Sequence, residues 1–301
     1  LSTMLPALGA SKAVLVAFIF VMLGMWIKMA LFPLHGWFPN AYSPAPTAVS
    51  CLIAPLMTKV SVYVMIRLMF TVFSAEYVFL TVKWSGVIIH IATIAIFAGS
   101  LFALLQRDLK KMLTYIVVAE VGYMVGGAWS KSAFGLAGSI YHILADAIMT
   151  LCLFMAIGCI IYKTGNSSFD SMKGIFRKMP ITMVAFVIGA FSMIGIPPTC
   201  GFFSKWYLIL GALESGNWLF MIALLVSSLI NVVLFFRLFE IGFFGDVESG
   251  EADHTKYKRD EAPKSMLIPL LVASAACIGI GLYTKEIILS VVQYAIPAGL
   301  L

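Results

Sequence analysis

Charge is what this sequence has least of. Asp, Glu, Lys and Arg together make up 11% of its 301 residues, while 61% are hydrophobic. An ordinary soluble domain carries about 25% charged residues, so that class is excluded. The apolar residues come in continuous runs of bilayer-spanning length, not in alternation. This excludes a membrane β-barrel, whose strands alternate apolar and polar positions. Cysteine is sparse too. The five cysteines, Cys51, Cys152, Cys159, Cys200 and Cys277, all lie in apolar segments and form no CxxC pair. That pattern argues against a disulfide framework, a zinc site or an iron–sulfur site. Buried apolar filler is the better reading, and no cofactor or metal is expected. The net charge of +6 is spread over the loops that flank the apolar runs. It is not gathered in one patch, so nucleic acid is not an expected partner. No signal peptide is visible. The chain opens on Leu1 and not on Met, almost directly in a span, as expected of a piece whose first helices precede it.

What is present is a polytopic helical membrane protein. We read eight spans: Ala13–Phe32, Thr47–Phe73, Val82–Leu105, Met112–Trp129, Ala133–Tyr162, Ile181–Leu213, Trp218–Phe244 and Met266–Tyr283. Pro33 stops the first, and Pro46 is preset for entry to the second. A polar, amphipathic connector, Lys163–Pro180, precedes the sixth. That span is too long for one plain crossing of about 20 residues, and Gly195-Ile-Pro-Pro198 interrupts it. Gly245–Lys264 is the one sizeable hydrophilic loop. Lys285–Leu301 reads as an interfacial tail.

Sidedness follows from the cations. Twelve of the 20 Lys and Arg, among them Arg107, Lys110, Lys111, Lys163 and Lys264, fall on one side of the spans, and five fall on the other. The richer side is expected to be cytoplasmic. Three cations remain, Lys28, Lys59 and Lys205, and all lie deep in spans. Of the fourteen acids only Glu120 and Asp146 sit well inside a span, while Glu240 lies near an end and reaches the interface.

A charge at the bilayer centre costs roughly 2.5–3.5 kcal/mol on insertion scales, so such residues pair with one another or line a hydrated path. Burial moves a lysine pKa down and a carboxylate pKa up, toward the range in which protons are exchanged easily. A row of such groups is a proton relay. Irregular backbone at membrane depth is tolerated where it lines a cavity or is buried in protein, and paired broken helices mark ion sites in transporters. Here Lys28 precedes Pro33, and Lys205 follows Pro197-Pro198. The plainer reading of the lysines is that they snorkel to an interface. His142, Asp146 and Thr150 are spaced four apart and share one helix face. Either they line a path, or His142 and Thr150 merely bond neighbouring backbone. Glu120 either pairs with a lysine or carries protons itself. His90 is a packed or switching histidine, and His35 either caps backbone or contacts Lys28. Gly122, Gly126, Gly135 and Gly138 are signals for close helix packing. Asp108-Leu-Lys-Lys111 reads as a capped helix start.

Several of these segments together resemble a known superfamily. Lys28-Met-Ala-Leu-Phe-Pro-Leu-His-Gly-Trp-Phe-Pro-Asn-Ala-Tyr42 is one, followed by Ala45-Pro-Thr47 and Lys59. Asp108-Leu-Lys-Lys-Met-Leu-Thr-Tyr115, Val121-Gly-Tyr-Met124 and Gly195-Ile-Pro-Pro-Thr-Cys-Gly-Phe-Phe-Ser-Lys205 continue it. They are similar to the antiporter-like subunits of NADH:quinone oxidoreductase and the Mrp-type cation/proton antiporters, and the Pro-Asn-Ala-Tyr wording is most similar to the D-type subunits of the Mrp group. The resemblance implies inverted five-helix repeats with discontinuous helices. Residues 1–76 would hold the last two helices of the first repeat and 77–244 the second repeat. Residues 245–301 would hold the loop, a final span and the tail. Lys28 and Lys205 would be the broken-helix residues, and Lys59 the connecting lysine. It also implies three departures. The first repeat's early helices, with the glutamate that partners Lys28, are absent. Thr150 and Asp146 stand where a lysine and often a histidine are usual. Glu120 replaces a residue that is usually neutral or histidine.

The expectation is therefore a proton-translocating subunit of a multi-subunit monovalent cation (Na+)/H+ antiporter in the cell (inner) membrane, with other membrane subunits and lipid as partners. Lys28, Lys59, Lys205, Glu120, Asp146 and His142 would be its proton-transfer groups. The alternatives are the pump module of NADH:quinone oxidoreductase or a membrane-bound hydrogenase, and a non-conducting scaffold.

Overall fold

The structure is a computed structural model that describes residues 11–245 and 259–297. Helix α1 (Lys12–Lys28) ends where Ala30 turns left-handed at φ 61° and the Ala30 and Leu31 N–H groups donate back to Ile27 O and Trp26 O, as a helix C-cap does, and after an irregular stretch containing Pro33 the short α2 (Trp37–Tyr42) follows. The Trp37 indole N–H donates to Ile27 O at 2.8 Å, which folds α2 back on the end of α1. Pro46 then leads into α3 (Thr47–Arg67), and the Ser50 hydroxyl ties its first turn to Tyr42 O at 2.8 Å. Two π-helical segments, Leu68–Val72 and Tyr77–Val82, join α3 to α4 (Ser85–Leu104). The third span therefore starts at Ser85 and not at Val82, since Val82 ends a π turn and Lys83 is left-handed at φ 57°.

α5 (Leu109–Trp129) opens on Asp108, whose carboxylate accepts the Lys111 N–H at 2.8 Å, as an N-cap should. α6 (Ala133–Thr164) opens on Ser132 in the same way. A 3₁₀ turn (Phe169–Met172) and α7 (Ile175–Lys178) form the connector, followed by α8 (Pro180–Ile194), α9 (Cys200–Glu214) and α10 (Trp218–Phe244). After the loop come α11 (Lys264–Leu282), α12 (Thr284–Ser290) and a 3₁₀ turn, Val292–Ala295. Residues 246–258 of the hydrophilic loop and 298–301 of the tail lie outside the described residues.

Among the described residues there is no strand, and six helices are long and apolar enough to cross a membrane. The first and sixth spans read from the sequence correspond to shorter helices, α1 and the pair α8 and α9. The protein is an all-α polytopic membrane protein. α5 is its axis and is buried over nearly its whole length, with α3, α4, α6, α9 and α10 packed around it. Apolar side chains such as Phe20, Leu229 and Val272 point outward from the rim helices, as lipid-facing positions do.

Two glycines set the spacing of this centre. A Cβ on Gly122 would lie 2.8 Å from Ala92 O of α4, and one on Gly138 would lie 2.7 Å from Leu208 N of α9. Both neighbours are backbone and cannot swing away. At the cation-rich ends, the connector is strapped to the start of α5. Leu109 N–H donates to Ser167 O at 2.7 Å, Phe169 N–H donates to Arg107 O at 2.9 Å, and the Ser167 hydroxyl bonds the Asp108 carboxylate. Glu261 closes the start of α8, accepting the Thr182 hydroxyl at 2.7 Å.

Gly138→Val should therefore lower stability by about 1–3 kcal/mol, the usual range for overpacking. Gly24→Ala, where a Cβ meets nothing within 4 Å, should not. Thermal melting of the solubilised protein checks both.

Candidate functional site

The polar centre forms where α3, α5, α6 and α9 meet. The face of α6 that carries His142, Asp146 and Thr150 turns inward, and all three are fully buried. Asp146 Oδ2 lies 2.8 Å from Lys59 Nζ of α3, an ion pair in which the two side chains are 0% and 3% exposed. Neither atom has a further hydrogen-bond partner among the described residues, so each charge depends on the other. The Thr150 hydroxyl donates to Asp146 Oδ1 at 2.5 Å.

One turn away, the His142 ring bridges two elements. Its Nε2 is 2.7 Å from Glu120 Oε2 of α5, and its Nδ1 is 2.8 Å from Ser204 Oγ of α9. The Ser204 hydroxyl donates to Gly201 O at 3.0 Å. A hydroxyl has one proton to give, so His142 Nδ1 donates to Ser204 Oγ when that proton goes to Gly201 O and accepts it when the hydroxyl turns to the ring. The contact at Nε2 holds a single proton shared with Glu120: either the ring donates it, or the carboxylic acid does. The other carboxylate oxygen, Glu120 Oε1, accepts no hydrogen bond among the described residues and lies 3.9 Å from Lys205 Nζ. That separation suits a bridging water better than direct contact.

Lys205 sits on the first turns of α9, just past the break. Its ammonium donates to Met193 O at 2.6 Å, reaches Ile194 O at 3.5 Å and Ser228 Oγ at 3.3 Å, and lies 5.1 Å from the centroid of the Tyr123 ring. Gly195, at φ 95°, ends α8 and turns the chain so that those carbonyls face inward; only glycine takes that conformation without strain. The Tyr123 hydroxyl is directed at Ser227 and Ser228 of α10, short of a full hydrogen bond. Ser227 Oγ bonds Ser100 Oγ of α4 at 2.6 Å, and Asn231 Nδ2 reaches Met193 O at 3.5 Å.

Five of the six expected residues are thus brought together: Lys59, Asp146, His142, Glu120 and Lys205. Lys28 stands apart from them. It occupies the last turn of α1 and is exposed, on a face that no described element covers. The Pro33 break turns the chain back along the opposite side of that helix end, where Met29, Ala30 and Leu31 are buried instead. His35 does not contact Lys28 either. It stacks between Phe32 and Phe102, with ring centroids 5.1 and 5.9 Å away. His90 is exposed and bonds Gly86 O of its own helix at 2.6 Å. Glu240 is exposed, as its place near a helix end implied. Sequence reasoning missed Ser204, Ser228 and the carbonyls of Met193 and Ile194. The only available signal was weak: Ser227, Ser228 and Asn231 interrupt an otherwise apolar run. The five cysteines are free, and among the described residues no group of His, Cys, Asp and Glu is arranged to hold a metal ion.

The sequence and the fold are ones that known proteins share. Residues 1–231 match the family described as NADH:quinone oxidoreductase/Mrp antiporter, transmembrane, and the chain belongs to that family. It is 43% identical over 305 aligned residues to the N subunit of the NADH-quinone oxidoreductase of Desulforudis audaxviator, covering 99% of this chain and 60% of that protein. It is 31% identical to the D subunit of the Na(+)/H(+) antiporter of Alkalihalophilus pseudofirmus, covering 87% of this chain and 51% of that protein. The chain thus spans little more than half the length of these relatives. The solved Mrp complex from Dietzia sp. DQ12-45-1b has the same fold, with a TM-score of 0.82 at 23% identity over 95% of this chain and 60% of that one.

Removing one partner of a buried ion pair leaves an uncompensated charge and costs about 3–5 kcal/mol. Asp146→Asn should show a loss of that size in thermal or denaturant unfolding. Lys59→Met combined with Asp146→Leu should recover most of it, and a double-mutant cycle reads the coupling.

Proposed function

We propose that this chain is a proton-translocating, antiporter-like membrane subunit that works within a multi-subunit monovalent cation (Na+)/H+ antiporter. The observation that carries the reading is the buried row Lys59–Asp146, His142–Glu120 and Lys205, in which acids and bases alternate across the helices. Asp146 and His142 lie about 6 Å apart along α6, one turn at 1.5 Å per residue. The proton held between Glu120 and Nε2 of His142 can pass from one to the other without any change of heavy-atom position. Each transfer changes the charge beside the next group, which makes that group easier to load or unload. Lys205, beside the break, is the group on the far side of Glu120 from His142.

In this reading residues 1–76 close the first antiporter repeat, 77–244 form the second, and 245–301 supply the loop, the last span and the tail. Glu120 and Asp146 take the place of the lysine absent at Thr150. Lys28, on an exposed face, serves a pathway completed by neighbouring helices. The cation-rich ends of α5 and α6 face the cytoplasm, and the protein resides in the cell (inner) membrane with other membrane subunits. A second reading is favoured by one observation, the 43% identity to a subunit of NADH-quinone oxidoreductase: the same row would then be driven by redox chemistry on neighbouring subunits.

Proton flux in vesicles carrying the assembled complex tests this. Glu120→Gln and Lys205→Ala should each lower flux by roughly a hundredfold, the low end of what one proton-transfer group contributes, with assembly intact. Assembly failing while the residual complex conducts normally would support a scaffold instead. Flux driven by an imposed Na+ gradient supports the antiporter; flux that needs NADH and a quinone supports the second reading.

A further inference from the structure

The surroundings of Lys205 contain more than a structural cap requires. α8 ends at Ile194, and the last carbonyls of a helix have no intrahelical partners and carry its negative dipole end. A lysine that merely capped them would need Met193 O and Ile194 O alone. Here the same ammonium also meets Ser228 Oγ from α10 at 3.3 Å and the face of Tyr123. Glu120 Oε1, fully buried and accepting no hydrogen bond among the described residues, faces it from α5 at 3.9 Å. Four oxygens from three elements thus converge on one positive atom that is almost fully sealed from solvent. They are two carbonyls, a hydroxyl and a single carboxylate. This is the hard, oxygen-only donor set of an alkali cation, and one carboxylate balances one positive charge. In transporters with broken helices, carbonyls at half-helix ends coordinate Na+ in this manner.

We infer that the Lys205 ammonium occupies a monovalent cation site formed by Met193 O, Ile194 O, Ser228 Oγ and Glu120 Oε1, and that a free Na+ binds there when the ammonium is removed. The side chain is then a tethered occupant, and Na+ and the ammonium exclude one another. The inference builds on the reading of this centre as ion-conducting. Its test is equilibrium binding without proton flux, so a negative result here leaves the outcome of the vesicle assay unaffected.

The test uses the complete protein in its complex, solubilised in equal concentrations of NaCl, KCl or choline chloride. Lys205→Ala should gain a saturable rise in Tm of several degrees with Na+ over choline, the linkage expected when a ligand binds only the folded state. The wild type should show none, and Glu120→Gln added to Lys205→Ala should abolish the gain. A Lys205→Ala protein whose melting is the same in all three salts overturns the site, as does a gain that survives Glu120→Gln. If Lys205→Ala does not assemble in choline, its yield in the three salts decides in the same way. Recovery in NaCl supports the site, and equal loss in every salt overturns it.

Discussion

The two ammonium groups at the polar centre, Lys59 and Lys205, are answered by a carboxylate and by the open end of a helix, and the packing is arranged around that requirement. Charges of this kind are costly in lipid. Lys59 is neutralised by Asp146 across the α3–α6 contact, and Lys205 by Glu120 and the carbonyls of α8. Because Asp146 and His142 lie on one face of α6, that helix links both sites and must reach three neighbours at once. The close approach at Gly138 allows it to do so.

The two helix breaks have different consequences. At the second, Gly195 turns the chain inward and presents free carbonyls to a buried lysine, so irregular backbone lines a polar centre. At the first, Pro33 turns a backbone of apolar side chains inward and leaves Lys28 on the outer face. The same device, a proline after an apolar helix, gives a buried cation in one place and an exposed one in the other. The difference lies in what packs beside it: α5, α6 and α10 surround the second break, while one side of α1 has no described neighbour.

Much of the fold was legible because a bilayer imposes long apolar runs, and the limits of the six long helices among the described residues agree to within a few residues. Four of the site residues were legible for the same reason: Lys59, Glu120, Asp146 and Lys205 stand out in apolar surroundings. Lys28 stands out equally and yet is exposed, since burial depends on neighbours and not on the run that holds the residue. The pairing was not legible. Nothing in the order of residues says that Asp146 faces α3 while Glu120 faces α9, because the register between helices is set by close contacts such as those at Gly122 and Gly138. Ser204 and Ser228 were invisible because serine is common in membrane helices and betrays its role only through its partners.

The strap between the connector and the head of α5 has a mechanical meaning. Two backbone hydrogen bonds and the Asp108–Ser167 contact make these segments one rigid joint at the rim of the bundle. Glu120 lies twelve residues along the same helix, about 18 Å at 1.5 Å per residue. A sideways load on the connector therefore reaches the middle of the membrane through a single stiff rod. A neighbouring molecule seated at the rim would therefore press on the helix that carries Glu120.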